Sequence, residues 1–402
     1  MSAQDQSIHT CNFCGKHKDQ VQKLIVSDKV AICNECVTLC QELLIEDVDL
    51  KESADTSLRG DPRVLKDYFD QYVIGQEQAK VVLAVAIINH YKRLHRSPGD
   101  PEVAKANILM IGPTGSGKTL LAKTVARYLD VPFVIADATS ITEAGYVGDD
   151  VESLISRLYQ AADGDLAKTQ RGIVFVDEID KISRKSESTS ITRDVSGEGV
   201  QQALLKLVEG TTCRIPAQGG RKHPGGEMIG VDTSNILFIA GGAFVGLDNV
   251  IKSRVHGSSM GFGAEVDKKA DASLKQLGPD DLVKFGLIPE FVGRFPTVVT
   301  LDNLEKSDMI KILTEVKNNY IEQYQWLFAK DEIQLTFQPN AIEVIVDRAV
   351  KSGTGARALH TEIEKALMPH MFVLRHYRDR GIKCVDIDAE LINNPVIIED
   401  TH

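Results

Sequence analysis

Gly112-Pro113-Thr114-Gly115-Ser116-Gly117-Lys118-Thr119 is the stretch on which the reading of this chain turns. An apolar run at 107–111 leads into it, and LLAKTVARYL leaves it from Leu120 onward, so a strand feeds a glycine loop and a helix follows. That is the setting a phosphate-binding loop requires. Glycines 112, 115 and 117 let the backbone turn tightly and aim N–H groups at phosphate oxygens, where a helix N-terminus favours negative charge. Pro113, Thr114 and Ser116 complete the loop and Leu120 opens the helix. Lys118 would reach the β- and γ-phosphates, and the Thr119 hydroxyl would reach Mg²⁺. The ligand expected is a nucleoside triphosphate.

The run at 173–176 is continuously apolar, as a strand buried on both faces should be, and it ends in Asp177-Glu178, 59 residues after Lys118. Asp177 is placed to hold the Mg²⁺ water shell, and Glu178 to orient and deprotonate an attacking water. An acidic helix cap after a strand is the other reading of this pair. Upstream, Val73 and Ile74 precede a helix with Val81, Ala84, Val85 and Ile88 at i, i+3, i+4, i+7. These two residues either sandwich an adenine or simply pack the core. Further apolar runs at 132–136 and 236–240 alternate with helical patterns. The fold class expected is α/β, a parallel sheet with helices on both faces, over residues 66–300. From 301 to 402 the pattern becomes helical, with β-like segments at 333–337 and 385–387, which describes a small, mainly helical second domain.

Cys11-x2-Cys14 and Cys33-x2-Cys36 are separated by 18 residues, inside the spacing by which two knuckles hold one tetrahedral Zn²⁺. Residues 1–50 are too few for a self-sufficient core, and a closed site of four thiolates would be structural. Cys40 reads as a residue on a helix face. Residues 1–50 carry four Lys/Arg against eight Asp/Glu, so this module is expected to hold a protein. Residues 51–65, without apolar periodicity, read as a linker.

At 402 residues the chain is too long for one core, and its net charge of −11 argues against wide contact with nucleic acid. No apolar run approaches the ~18 residues of a membrane span, so no membrane is expected as a partner. MSAQDQSIHT has neither a basic nor an apolar leader region, which points to a cytoplasmic protein. Seven cysteines, four at metal spacing, do not suggest disulfides.

Several loops carry features of their own. Tyr146 and Val147 stand between Gly145 and Gly148 in a turn outside the core periodicity. Arg221, Lys222 and His223 form a cationic tip between glycine pairs. Residues 246–285 show little apolar periodicity, and within them Met260-Gly261-Phe262 is an apolar bead.

The order of these features, closed by Arg294 in IPEFVGR and by Arg357 ahead of a helix, resembles AAA+ ATPases. The four-cysteine module, GYVG at 145–148, DEIDKI at 177–182, RDVSGEGVQQALLK at 193–206, GGRKHP at 219–224 and IPEFVGR at 288–294 resemble the bacterial ClpX family over nearly the whole chain. The resemblance implies an AAA+ large domain, a small AAA+ domain and an N-terminal zinc-binding domain, with ATP, Mg²⁺ and Zn²⁺ as cofactors. It implies an ATP-dependent unfoldase, not itself a peptidase, that forms a homohexamer and threads unfolded or tagged proteins through an axial pore into the ClpP peptidase. Tyr146 and Val147 would grip the substrate, and Arg221, Lys222 and His223 would ring the pore entrance. Met260, Gly261 and Phe262 would dock the peptidase, and protein adaptors would sit on the zinc domain. Arg294 would reach a neighbour's γ-phosphate, and Arg357 would sense the nucleotide of its own subunit. A bacterial cytoplasm is expected before a mitochondrial matrix. The sequence departs from the pattern in three places: Met260 stands where isoleucine or leucine is usual, Gly241-Gly242 end the strand where AAA+ proteins commonly place a polar residue, and His360 stands where arginine is expected.

Overall fold

The computed structural model describes residues 9–27, 30–40, 60–97, 99–142, 149–183, 197–216, 228–257 and 274–393. The chain divides into two compact units, Met1–Asp61 and Pro62–His402.

In the first unit, β1 (Leu24–Val26) and β2 (Ala31–Cys33) pair antiparallel, Leu24 opposite Cys33, and helix α1 (34–40) starts directly after β2. Its core is Cys11, Cys33 and Cys36, with Val21, Leu24 and Ile32 packed around them. So small an apolar cluster cannot offset the chain entropy of its loops.

The second unit opens with α2 (Pro62–Asp70), whose N-terminal proline has its φ already set for a helix and no N–H to lose. This helix starts inside the stretch that composition alone assigns to a linker. In α3 (Glu77–Leu94) the buried face is Leu83, Ala84, Ile87 and Ile88, whereas Val81 and Val85 are exposed. The helix is rotated from the face its valines suggest because Lys80 is buried. Its ammonium lies 2.7 Å from Asp70 and 3.5 Å from Glu77, and Lys66 bridges the same two carboxylates. A pattern that counts lysine as polar cannot foresee this.

Strand β3 (Ile108–Ile111) enters the phosphate loop and α4 (Lys118–Leu129) leaves it. There follow β4 (Phe133–Asp137) and the short pair β5 (Ile141–Thr142) and β6 (Asp149–Asp150). Helix α5 (Val151–Ala161) is capped by Asp150, which accepts from the Glu152 N–H, and buries Val151, Leu154, Ile155 and Leu158. Next come α6 (Leu166–Gln170), β7 (Ile173–Asp177) and α7 (Glu198–Glu209). The hairpin β8 (Thr212–Pro216) and β9 (Met228–Asp232) precedes β10 (Leu237–Gly242). Residues 246–285, which lack periodicity, nevertheless form α8 (Leu247–Gly257) and α9 (Pro279–Phe285) around residues not described. Each has a short apolar face, Leu247, Val250 and Ile251 on α8 and Leu282 on α9, and a polar anchor joins them. Fully buried Asp281 takes Arg254 Nε and Nη2 at 2.8 and 2.9 Å. Helix α10 (Pro289–Gly293) and β11 (Thr297–Thr300) complete this part.

The sheet runs β11-β3-β10-β7-β4, all parallel. Alternate residues feed two cores. Leu109, Ile111, Val174, Val176, Phe238 and Ala240 face α5 and α7, while Ile108, Met110, Ile173, Phe175, Leu237 and Ile239 face α2, α3 and α4. Both faces are covered, which is why these strands are apolar throughout. Truncating Ile239 to alanine at such a site should cost roughly 2–5 kcal/mol.

A third core draws on α11 (Lys306–Thr314), α12 (Tyr320–Lys330), β12 (Gln334–Phe337), α13 (Pro339–Ser352), α14 (Arg357–Phe372), α15 (Leu374–Asp379), β13 (Cys384–Ile387) and α16 (Ala389–Asn393). β12 and β13 pair in parallel, Leu335 opposite Val385. Among the described residues, no helix is long and apolar enough to cross a membrane.

Candidate functional site

The phosphate loop lies at the carboxyl end of β3, the edge of an open parallel sheet where ligands bind. Gly115 and Gly117 adopt positive φ, +79° and +103°, and Gly117 opens α4. Lys118 is buried, its Nζ donating to the carbonyls of Gly112 at 2.6 Å and Pro113 at 2.9 Å. Burial pushes its ammonium pKa down, against the pull of Asp177 and Asp180. The Thr119 hydroxyl donates to Asp177 Oδ2 at 3.0 Å, so the two residues suited to Mg²⁺ already touch across α4 and β7. The Ser116 hydroxyl is buried with no hydrogen-bond partner among the described residues.

Glu178 follows Asp177 with φ 56° and ψ 33°, a left-handed conformation that costs a non-glycine residue on the order of 1–3 kcal/mol. Its N–H donates to Asp177 Oδ1 at 3.0 Å. The bend turns its carboxylate toward a cavity of about 500 Å³ that Lys118, Thr119, Asp177 and Asp180 also line. Thr114, Gly115, Ser116, Gly117 and Leu120 form the same wall.

Val73 and Ile74 line the other end of the cavity. Val73 is 5% exposed and also belongs to the core of α2 and α3, so it both packs and lines. The turn that carries them is tied to the linker after β11: Gln76 Nε2 donates to the Asp302 carbonyl at 2.8 Å, and the Asp302 N–H donates to Gln76 Oε1 at 2.9 Å. The Lys317 N–H donates to the Gln71 carbonyl at 2.7 Å. Leu304, Ile312, Tyr320 and Arg357, all from the third core or its edge, close the cavity. A Cβ on Gly115 would stand 2.6 Å from the Thr354 carbonyl, and one on Gly355 would stand 2.7 Å from that of Thr114. The two backbones pass closer than any side chain allows.

Arg294 does not line this cavity. It caps α10, and its carbonyl accepts from Asn107 Nδ2 at 3.0 Å, at the end of β3 opposite the phosphate loop. Its guanidinium pairs with Glu209 through Nε at 2.9 Å and Nη2 at 2.8 Å, and half of it remains exposed. His360 packs against Tyr320 and Tyr324, ring centroids 5.0 and 6.3 Å apart, with Nδ1 3.8 Å from Glu364.

The four thiols of Cys11, Cys14, Cys33 and Cys36 converge with all sulfurs within 4.8 Å of one another, and the 11–36 and 14–33 pairs are 3.9 and 3.6 Å apart. A tetrahedron with Zn–S bonds of ~2.3 Å has edges of about 3.8 Å, so the group fits Zn²⁺. The backbone N–H of Cys33 points at Cys11 Sγ (3.3 Å) and that of Cys36 at Cys33 Sγ (3.4 Å), which favours thiolates. The cavity fits a nucleotide equally well: an unpartnered hydroxyl, a lysine resting on carbonyls and glycines at positive φ await phosphate oxygens.

The expected triphosphate residues are thus brought together, as are the four cysteines, while Arg294 stands apart. Tyr146, Val147, Arg221, Lys222, His223, Met260, Gly261 and Phe262 lie outside the described residues. Asp180, Val245, Leu304, Ile312 and Tyr320 were not foreseen as lining. Asp180 alone left a trace, as the second aspartate of DEIDKI.

Residues 103–298 match the family described as AAA domain (Cdc48 subfamily), residues 9–46 match the ClpX C4-type zinc finger, and residues 304–375 match the C-terminal, D2-small domain, of ClpB protein. A relative from Treponema denticola, the ATP-dependent Clp protease ATP-binding subunit ClpX, is 50% identical over 396 residues, 96% of this chain and 94% of that protein. The chain belongs to the ClpX family of AAA+ ATPases.

Proposed function

We propose that the chain is an ATP-driven protein unfoldase that passes substrates to a ClpP-type peptidase. The observation that carries this reading is the cavity in which Lys118, Thr119, Asp177 and Glu178 meet walls from the third core. A nucleotide bound there touches both bodies, so its cleavage can move one against the other. Lys118 and the loop amides hold the phosphates. Thr119 and Asp177 would hold Mg²⁺, which would supply charge neutralisation at the terminal phosphate. Glu178 orients and deprotonates the attacking water.

Arg294 supports assembly into a ring. Its main chain is fixed at the far end of β3, so its side chain serves a neighbour's cavity and not its own, as an arginine supplied in trans does. Arg357 reads the nucleotide within its own chain. We assign Tyr146 and Val147 to the substrate grip, Arg221, Lys222 and His223 to the pore entrance, and Met260, Gly261 and Phe262 to peptidase docking. The zinc module carries adaptors. The domains are assigned to residues 1–50, 62–300 and 301–402, with the linker at 51–61, since α2 begins at Pro62.

The test is ATP-dependent loss of fluorescence from a tagged green fluorescent protein, with and without the peptidase. The parent should unfold it, E178Q should bind ATP without turnover, and Tyr146→Ala should hydrolyse ATP without unfolding. Unfolding that proceeds without ATP, or at full rate in E178Q, would overturn the proposal.

A further inference from the structure

Strand β10 ends in Gly241-Gly242 and brings no side chain to the phosphate end of the cavity. The structure explains why. A Cβ on Gly241 would stand 2.7 Å from the Phe175 ring, and one on Gly242 would stand 2.6 Å from the Phe244 ring and 2.7 Å from Asp180 Oδ1. The space a side chain on β10 would fill is occupied by a carboxylate arriving from the turn after the neighbouring strand β7. That carboxylate is only 5% exposed, and its Oδ1 accepts the Ala243 N–H at 3.1 Å.

This bond closes a loop of contacts. The Gly242 carbonyl accepts from the Gly112 N–H at 3.2 Å, so β10 is fastened to the phosphate loop on one side and, through Asp180, to the acidic turn on the other. Within that turn, the bonds from the Glu178 N–H to Asp177 Oδ1 and from the Lys181 N–H to the Glu178 carbonyl are local. They shape the turn but cannot set where it stands against the sheet. The left-handed backbone of Glu178 persists only if its surroundings hold it. Lys181, half exposed with its ammonium 3.7 Å from Oδ2, is a poor anchor by comparison.

We propose that Asp180 is a positioning residue for ATP hydrolysis, pinning the turn that carries Glu178 to the tip of β10 and thereby to the phosphate loop. It acts through the oxygen that accepts the Ala243 N–H. The inference rests on Glu178 being the base. Its role is to hold the base still, and it replaces from β7 a polar group that β10 does not carry.

The experiment compares D180A, D180N and E178Q in the full-length chain. In D180A the Ala243 amide of the ligand-free protein should exchange at least tenfold faster. Its kcat for ATP should fall roughly 10- to 100-fold, the loss expected for a hydrogen bond to a charged acceptor, while labelled-ATP affinity stays within threefold. D180N keeps an acceptor oxygen and should retain both amide protection and kcat within about fivefold. The proposal is overturned if D180A turns over normally, if D180N is as slow as D180A, or if kcat, nucleotide affinity and thermal stability fall together. E178Q separates the two levels: normal turnover there removes the assignment of the base itself, whereas an inert E178Q beside a normal D180A removes only the role given to Asp180.

Discussion

Leucine in place of Gln76 should weaken nucleotide binding by roughly 30-fold. Gln76 is 9% exposed and spends its whole amide on the main chain of Asp302, one bond at 2.8 Å and one at 2.9 Å. Leucine has similar bulk and meets the same left-handed backbone, so the difference is the two bonds. At about 1 kcal/mol each the tie between the base-lining turn and the linker loses about 2 kcal/mol, which is a factor of ~30 in an equilibrium constant. The cavity has its full set of walls only when that tie holds, so the loss appears as weaker binding. Titration with a fluorescent ATP analogue measures it directly, and far-UV circular dichroism checks that the variant is folded. Q76E makes the comparison sharper: its carboxylate can accept from the Asp302 N–H but sets an oxygen against the Asp302 carbonyl, so it should bind no better than Q76L. A folded Q76L with affinity within twofold of the parent would show that the amide pair does not couple the turn to the linker.

Three further outcomes are expected. Removing zinc by chelation, or replacing Cys33 by serine, should abolish the dispersed NMR signals of residues 9–40 yet leave nucleotide affinity unchanged, because the described residues of that unit have no other core; persistence of those signals in metal-free protein would refute the site. Arg294→Ala should lower ATPase turnover by roughly 10³-fold or more with ATP binding retained, measured by steady-state kinetics beside equilibrium titration, and normal turnover would exclude it as the trans arginine. His90 is held neutral by burial, and then by the charges of Arg93 and Lys105, with its pKa pushed down to about 3. Below the ordinary value of 6.5 the unfolded chain takes up a proton that the fold refuses, so stability is complete above 6.5 and is lost as the pH falls toward 3. The slope approaches about 1.4 kcal/mol per pH unit a little below 6.5, so the parent should lose about 1.6 kcal/mol more than His90→Gln between pH 6.5 and 5 in denaturant titrations. Parallel curves would refute this.

The parts legible in the sequence are those whose chemistry fixes residue type and spacing within a short window. Glycines at 115 and 117, Lys118 and Thr119 each have a separate duty around one phosphate chain, and four cysteines can be counted against a tetrahedron. Asp177-Glu178 was readable because an apolar run that stops at two acids has few uses. What escaped depends on distant partners. Gln76 meets Asp302 across 226 positions, and Asp180 owes its place to two glycines on another strand, neither of which leaves a periodic mark. The rotation of α3 escaped because a buried lysine, paired with Asp70 and Glu77, mimics a solvated face, and α8 and α9 escaped because their apolar faces are short, Leu247, Val250 and Ile251 on one and Leu282 on the other.

The crossing of Gly115 over Gly355 has a mechanical meaning. Interlocked side chains resist sliding, since each must leave its rotamer before the surfaces can pass, whereas bare peptide groups present no such teeth. At this seam the third core meets the phosphate loop through bare backbone, while the Gln76–Asp302 and Lys317–Gln71 bonds tether the two parts. A joint built from one smooth track and two short ropes can shift without unlocking side chains, and the ropes limit how far.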